Sequence, residues 1–316
     1  MTILDRIEGI ASARDRRLAA TASRAKLSGT AMLLLAALAW GAGNVAQKTI
    51  LDHLDPYAAN GITCLVGAAV LYPFARRETP APTKGSARLL LLVAISFTLA
   101  ATLMQVGYGH TSVTNAGFLV NTSAVLTPVL GWVIYRQCPP LLIWPASLCA
   151  LVGVYLMGGG ALSSLTNGDF LALASGLAFS VWNLLVAQYV MRYGRPAFLT
   201  VMQLLCCGVV CLCISGILNG WPKAAPLWAA LPEIVMLGVV SKGLAYGLMA
   251  AGMRTVSASA AAVLVSTESI FGATCAIMFL AESPGVIRLV GGGFIICGVI
   301  FASCVPARAE NGRNGG

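Results

Sequence analysis

Two ionisable side chains stand where a lipid environment would exclude them. Lys242 and Glu268 each lie about eleven residues from the end of a long apolar run, near mid-depth if these runs cross a membrane. A charge at the bilayer centre costs on the order of 2.5 to 3.5 kcal/mol on insertion scales, so each needs a partner or a wet cavity. Two arrangements meet that need. One is an ion pair joining adjacent helices. In the other, both line a solute path, where Lys242 could meet a carboxylate and Glu268 an ammonium group or a coupled proton. Tyr246 and Met249 follow Lys242 at i+4 and i+7, while Leu264, Phe271 and Cys275 flank Glu268 at i−4, i+3 and i+7. Helical spacing therefore puts a mixed aromatic and apolar wall around the two charges. Such a lining suits a small amphipathic solute better than a bare inorganic ion, and a zwitterion such as an amino acid would match one positive and one negative group.

Amides recur beside aromatics in the same way. Trp40 precedes Asn44 by four and Gln47 follows it by three, while Phe179 precedes Asn183 by four. Mid-membrane amides cross-link helices as readily as they bind solutes, so both roles stay open for Asn44 and Asn183. Further along, Asn121, Thr122 and Ser123 occupy the positions that Val265, Ser266 and Thr267 fill in a later run. The candidate substrate-binding set is Lys242, Glu268, Trp40, Asn44, Asn121, Asn183 and Tyr246, with Glu268 the candidate for proton coupling because it is the one mid-span carboxylate.

The elements that must hold these residues follow from composition. The chain is 58% hydrophobic and 10% charged, with a mean hydropathy of +0.84, which is not the balance of a water-soluble domain. Ten apolar stretches can be read, at 28–48, 56–75, 88–109, 113–135, 141–158, 170–191, 197–218, 231–253, 257–280 and 286–304. Helix is the element that satisfies every backbone amide internally in lipid, and these runs lack the alternation of barrel strands. With a cytoplasmic N-terminus, 16 basic residues fall on the inner side against 3 outside, which places both termini in the cytoplasm. Asn183 lies 139 residues after Asn44, and Thr255 and Pro284 lie 144 after Thr111 and Pro140. Near-constant offsets point to a duplicated unit, and five helices per unit would turn the second copy upside down. The expected fold is thus all-α and integral to the membrane, ten helices as two inverted five-helix repeats.

Several functions leave no mark. No phosphate loop, nucleophile elbow or metal cluster is present, and the connections are too short for a catalytic domain outside the membrane. Nine of the ten cysteines fall in the expected spans, Cys138 falls in a turn, and His53 and His110 stand alone, so thiols read as packing residues and neither metal nor cofactor is expected. The net charge of +9 belongs to topology rather than to nucleic acid. The basic residues 1–27 lack an apolar core of their own, and a mobile cytoplasmic tail is expected there rather than a cleaved signal. The acids Asp52, Asp55, Asp169 and Glu233 are scattered without a nucleophile, which weighs against the rival readings of an integral-membrane enzyme or a lipid scramblase.

The stretches AALAWGAGNVAQK and HTSVTNAGFLVNTSAVLTPVLGWVIY resemble the opening and the fourth helix of an EamA repeat. GDFLALASGLAFSVWN resembles the start of a second copy, and STESIFGATCAIMFLAESP followed by GGGFIICGVIF resembles its end. The resemblance covers roughly 28–304, with repeats at 28–160 and 166–304 between an N-terminal tail, 1–27, and a C-terminal tail, 305–316. Ser269 stands where the family usually has proline after Glu268, and Ala281 replaces the glycine before Glu282. The resemblance implies the drug/metabolite transporter superfamily and a bacterial inner-membrane permease whose members carry amino acids, related metabolites or drugs, often outward. The reading of the whole is a secondary transporter, an exporter working by alternating access, whose partners are a small-molecule substrate and the lipid bilayer. Oligomeric state is left open.

Overall fold

The computed structural model describes residues 3–78, 85–111, 113–136, 138–157, 166–272, 274 and 285–305. Lys84, Cys275, Ala281, Glu282, Pro284 and the C-terminal tail from 306 onward lie outside the described residues. Among those described, every regular element is helical. In chain order these are α1 (Ile3–Thr49), α2 (Pro56–Ala75), α3 (Ser86–His110), α4 (Val113–Asn121), α5 (Ser123–Tyr135), α6 (Ile143–Met157), α7 (Asn167–Tyr193) and α8 (Pro196–Leu218). There follow α9 (Ala224–Ala229), α10 (Leu231–Val235), a π-helical segment (Met236–Ala245), α11 (Tyr246–Gly252), α12 (Ala258–Val265) and α13 (Val286–Cys304).

Eight helices among the described residues are long and apolar enough to cross a membrane, so the chain is an integral membrane protein of several spans. The sequence leads one to expect ten. The fifth and ninth expected spans are represented by shorter apolar helices, Ile143–Met157 and Ala258–Gly272. A second difference concerns residues 1–27, where a mobile tail is expected. Helix α1 instead starts at Ile3 and runs without a break into the first span. Only Gly9 and no proline interrupts this stretch, and its Ala, Arg and Leu residues are strong helix formers.

Helix ends are fixed by local chemistry. Asp55 Oδ1 accepts from the N–H groups of Tyr57 and Ala58, with Pro56 opening α2. Thr166 and Asp169 form a reciprocal capping box at the start of α7. That helix stops at Gly194, whose φ of 64° is left-handed and whose N–H returns to the Val190 carbonyl.

The most extensive helix contacts are α3 with α7, α2 with α8, and α6 with α13. Small residues set their closeness, since membrane helices gain most from backbones that approach directly. A Cβ added to Gly153 would lie 2.7 Å from the Gly291 carbonyl, and one added to Gly291 would lie 2.7 Å from the Gly153 carbonyl. Between α2 and α8 the contact is also reciprocal: Gly61 faces Leu212, and Gly208 faces Leu65.

Polar ties close both ends of the bundle. Where α1 meets α2, here called the distal end, Ser215 Oγ donates to Asp55 Oδ2 at 2.8 Å and Thr111 Oγ1 to Asp169 Oδ1 at 2.5 Å. Thr49 Oγ1 donates to Glu233 at 3.3 Å, and Lys48 donates to the carbonyls of Tyr108 and Thr111. Three of the four acids that looked scattered in the sequence therefore cap or cross-link helices. At the opposite, proximal end, the Glu78 carboxylate accepts from the N–H groups of Ala197 and Phe198 at 3.0 and 2.8 Å, holding the start of α8.

Candidate functional site: a cavity among the helix midpoints

Two kinds of helix irregularity meet at the centre. In the fourth expected span the helix breaks at Thr122, between α4 and α5, and in the ninth it breaks at Ser266 and Thr267, after α12. At both places hydroxyls compete for backbone carbonyls: Thr122 Oγ1 donates to Leu119, Ser266 Oγ to Val263 and Thr267 Oγ1 to Leu264, at 2.6 to 2.7 Å. The backbone tightens to i−3 bonds over the same residues. Pro128 sits inside α5, and the break precedes it. Glu268 follows the second break directly. At the next residue, Ser269 N–H donates to the Ser266 carbonyl at 3.2 Å, a bond that a proline there would lose.

The other irregularity is the π segment that carries Lys242. Runs of i→i+5 bonding are rare and concentrate at functional sites. Here Gly238 and Gly243 let the segment press on α2: a Cβ on Gly67 would lie 2.8 Å from Lys242 Cβ and 2.9 Å from Gly243 N. Trp40 Nε1 donates to the Ser241 carbonyl within the segment at 3.0 Å.

Around these midpoints lies a cavity that is partly open to solvent. Every one of the seven sequence-derived candidates, Lys242, Glu268, Trp40, Asn44, Asn121, Asn183 and Tyr246, lines it. Gln47, Met104, Trp182 and Ser241 line it as well. An aromatic wall runs along one side: Tyr246 meets Trp40, Phe97 and Trp182 at centroid separations of 4.8, 4.9 and 5.5 Å in edge-to-face geometry. Trp182 Nε1 donates to Gln203 at 2.8 Å, so the N–H groups of both indoles are used within the protein and their rings remain as apolar surface.

The two charges do not pair with each other. Lys242 is 4% exposed, and its Nζ donates to Asn60 Oδ1 at 3.1 Å. Asn60 in turn donates to Cys207 and Cys211 at 3.4 and 3.5 Å and accepts from Cys64 at 3.7 Å, which gives the lysine a polar niche between α2 and α8. Glu268 is half-buried, and its Oε1 accepts from Asn121 Nδ2 at 3.2 Å, while the same Nδ2 also donates to the Gly117 carbonyl. Gln47 and Gln105 bond each other. Asn44 and Asn183 make no hydrogen bond to another described residue, and Asn183 Oδ1 is buried without a partner. Among the described residues the repeated amides thus line the cavity without cross-linking helices.

Sequence reasoning misses Trp182, Met104 and Ser241 in the cavity lining, and Asn60, which does not line the cavity but holds Lys242. Trp182 adjoins Asn183, so the stripe analysis could have reached it. Asn60 had only the weak signal of an amide inside an apolar run, because its charged partner is 182 residues away.

A bundle of apolar helices around a polar, partly charged cavity defines a multi-pass membrane protein built to admit a solute into its centre. The EamA-like transporter family model matches the chain twice, over residues 27–159 and 166–304. The chain belongs to this family and is a membrane transporter. An uncharacterized transporter of Methanothermobacter thermautotrophicus is 25% identical over 300 residues, covering 87% of this chain and 86% of that protein. The uncharacterized transporter YdfC of Bacillus subtilis is 24% identical over 83% of this chain and 86% of its own length. A third uncharacterized transporter, from Archaeoglobus fulgidus, is 30% identical over 54% of this chain, and the match spans about half (52%) of that protein. A solved structure titled only as the crystal structure of a protein shares the fold, with a TM-score of 0.70 at 17% identity over 89% of this chain and 96% of that one.

Proposed function

We propose that the protein is a secondary transporter that moves a small organic metabolite, such as an amino acid or a related compound, out of the cell by alternating access. The observation that carries this reading is the central cavity, lined by residues of both family matches and, among the described residues, by one carboxylate with a single hydrogen-bond partner. Ten helices in two inverted repeats fit the packing. The contact of Gly153 with the Gly291 carbonyl and the Ile295 amide is repeated, at an offset of 145 residues, by Gly298 with the Ala146 carbonyl and the Ala150 amide. Pairs that map onto each other when the halves are exchanged are what a twofold relation produces. On this reading the chain lies in a bacterial inner membrane with both ends cytoplasmic, and Glu268 carries the coupled proton.

The test is transport by the purified protein. Proteoliposomes loaded with a bacterial metabolite extract should release at least one solute faster than protein-free vesicles, read by mass spectrometry; equal release of every solute overturns the reading. With that solute in hand, Glu268→Gln should abolish the dependence of its flux on an imposed pH gradient. Undiminished dependence would remove Glu268 from the coupling role.

A further inference from the structure

The polar groups lining the cavity divide into those already engaged within the protein and those left over, and the remainder has a definite chemical character. Lys242 has its ammonium drawn to Asn60 at 3.1 Å, and the Trp40 and Trp182 N–H groups are given to Ser241 and Gln203. What remains among the described residues is the Glu268 carboxylate, which has Asn121 as its partner, the amides of Asn44 and Asn183, and the hydroxyls of Ser123 and Tyr246. That remainder holds one anion, two amides that can turn either oxygen or nitrogen to a ligand and two hydroxyls, while Lys242, the one cation among the described lining residues, is 4% exposed and tied to Asn60. Beside it stand the rings of Trp40, Trp182 and Tyr246.

Resting on the transport reading above, we propose that the solute is recognised as a cationic amine with an apolar body, and that a carboxylate on it is not a recognised group. Its ammonium seats on Glu268, where a charge-assisted hydrogen bond forms in a half-buried site. The amides of Asn44 and Asn183 take the remaining N–H groups of the amine. Its carbon skeleton lies on the aromatic wall, whose ring faces also attract a cation. A carboxylate would find its natural partner, Lys242, turned toward α2 and α8. This departs from the sequence expectation of a zwitterion held by Lys242 and Glu268 together.

A matched series decides it: phenethylamine, phenylalanine and 3-phenylpropionate, titrated at neutral pH against the full chain in nanodiscs and followed by tryptophan fluorescence. The amine should bind roughly tenfold or more tighter than the acid, and phenylalanine should bind no tighter than the amine. Any other order, or no binding by the three, overturns the proposal. Because the series uses the unmodified protein, the decision does not depend on a variant folding. Two variants locate the site: Glu268→Gln should weaken the amine by roughly tenfold, and Asn183→Asp should tighten it by a few-fold while weakening the acid. Unchanged amine affinity in both moves the ammonium elsewhere and overturns the assignment. Metabolite release from the loaded proteoliposomes distinguishes the failures, since release of other solutes with no amine binding leaves the transport reading standing.

Discussion

Lys242 illustrates how a single buried charge can be structural and still shape a binding site. Its partner is a neutral amide, so the pair leaves a net positive charge inside the bundle, held by Asn60 and the surrounding thiols. A hydrogen bond to a charged group contributes about 1.5 to 3 kcal/mol, and its loss leaves the charge unsatisfied. Asn60→Leu should therefore lower stability by about 2 kcal/mol, measured by thermal unfolding in detergent. Adding Lys242→Met to it should recover most of that loss, because both polar partners are then gone. At this scale the sequence was informative about which residues line the cavity and silent about whom they meet. The seven candidates were legible because lipid makes each mid-span polar group conspicuous. The Lys242–Asn60 bond was not legible, since nothing along one helix reports which residue of another helix faces it.

Among the elements, length and apolarity were readable and irregularity was not. Eight of the ten apolar runs appear as helices long enough to cross a membrane and two as shorter helices among the described residues, but the π segment and the breaks at Thr122 and at Ser266 and Thr267 depend on a choice between i−3, i−4 and i−5 carbonyls. Such choices differ by small energies and are decided by contacts. The contact for the π segment is α2: Gly67 lies against Lys242 and Gly243 with no room for a side chain. Gly67→Leu should push the two apart and cost about 1 to 3 kcal/mol through overpacking, read as a lowered unfolding temperature. Because Lys242 and Tyr246 flank that contact on the cavity side, the same variant should also weaken phenethylamine binding. Unchanged stability and binding would show that the segment has slack that the packing does not reveal.

For the molecule as a whole, topology is the property on which the rest hangs. The exposed thiol of Cys138 lies in the turn between α5 and α6, at the proximal end. On the inner-membrane reading this end is cytoplasmic, so a membrane-impermeant maleimide should modify Cys138 in inside-out vesicles and leave it unmodified in intact spheroplasts, followed by peptide mass spectrometry with Cys138→Ser as control. Labelling in spheroplasts would reverse the orientation and with it the direction of export. The two family matches and the repeated offsets were legible because duplication preserves spacing even where residues drift. How the halves fit together was not, since it rests on glycine contacts such as Gly61 with Leu212 and Gly208 with Leu65.

That mirrored glycine and leucine arrangement carries a consequence for the working cycle. If each half can adopt the backbone shape that its counterpart has now, exchanging the two shapes yields a second conformer facing the other compartment, with α2 and α8 meeting through the same residues in swapped roles. Gly61 would take the place of Gly208 and Leu65 that of Leu212, and the seam would act as a stationary axle while the cavity's mouth changes sides.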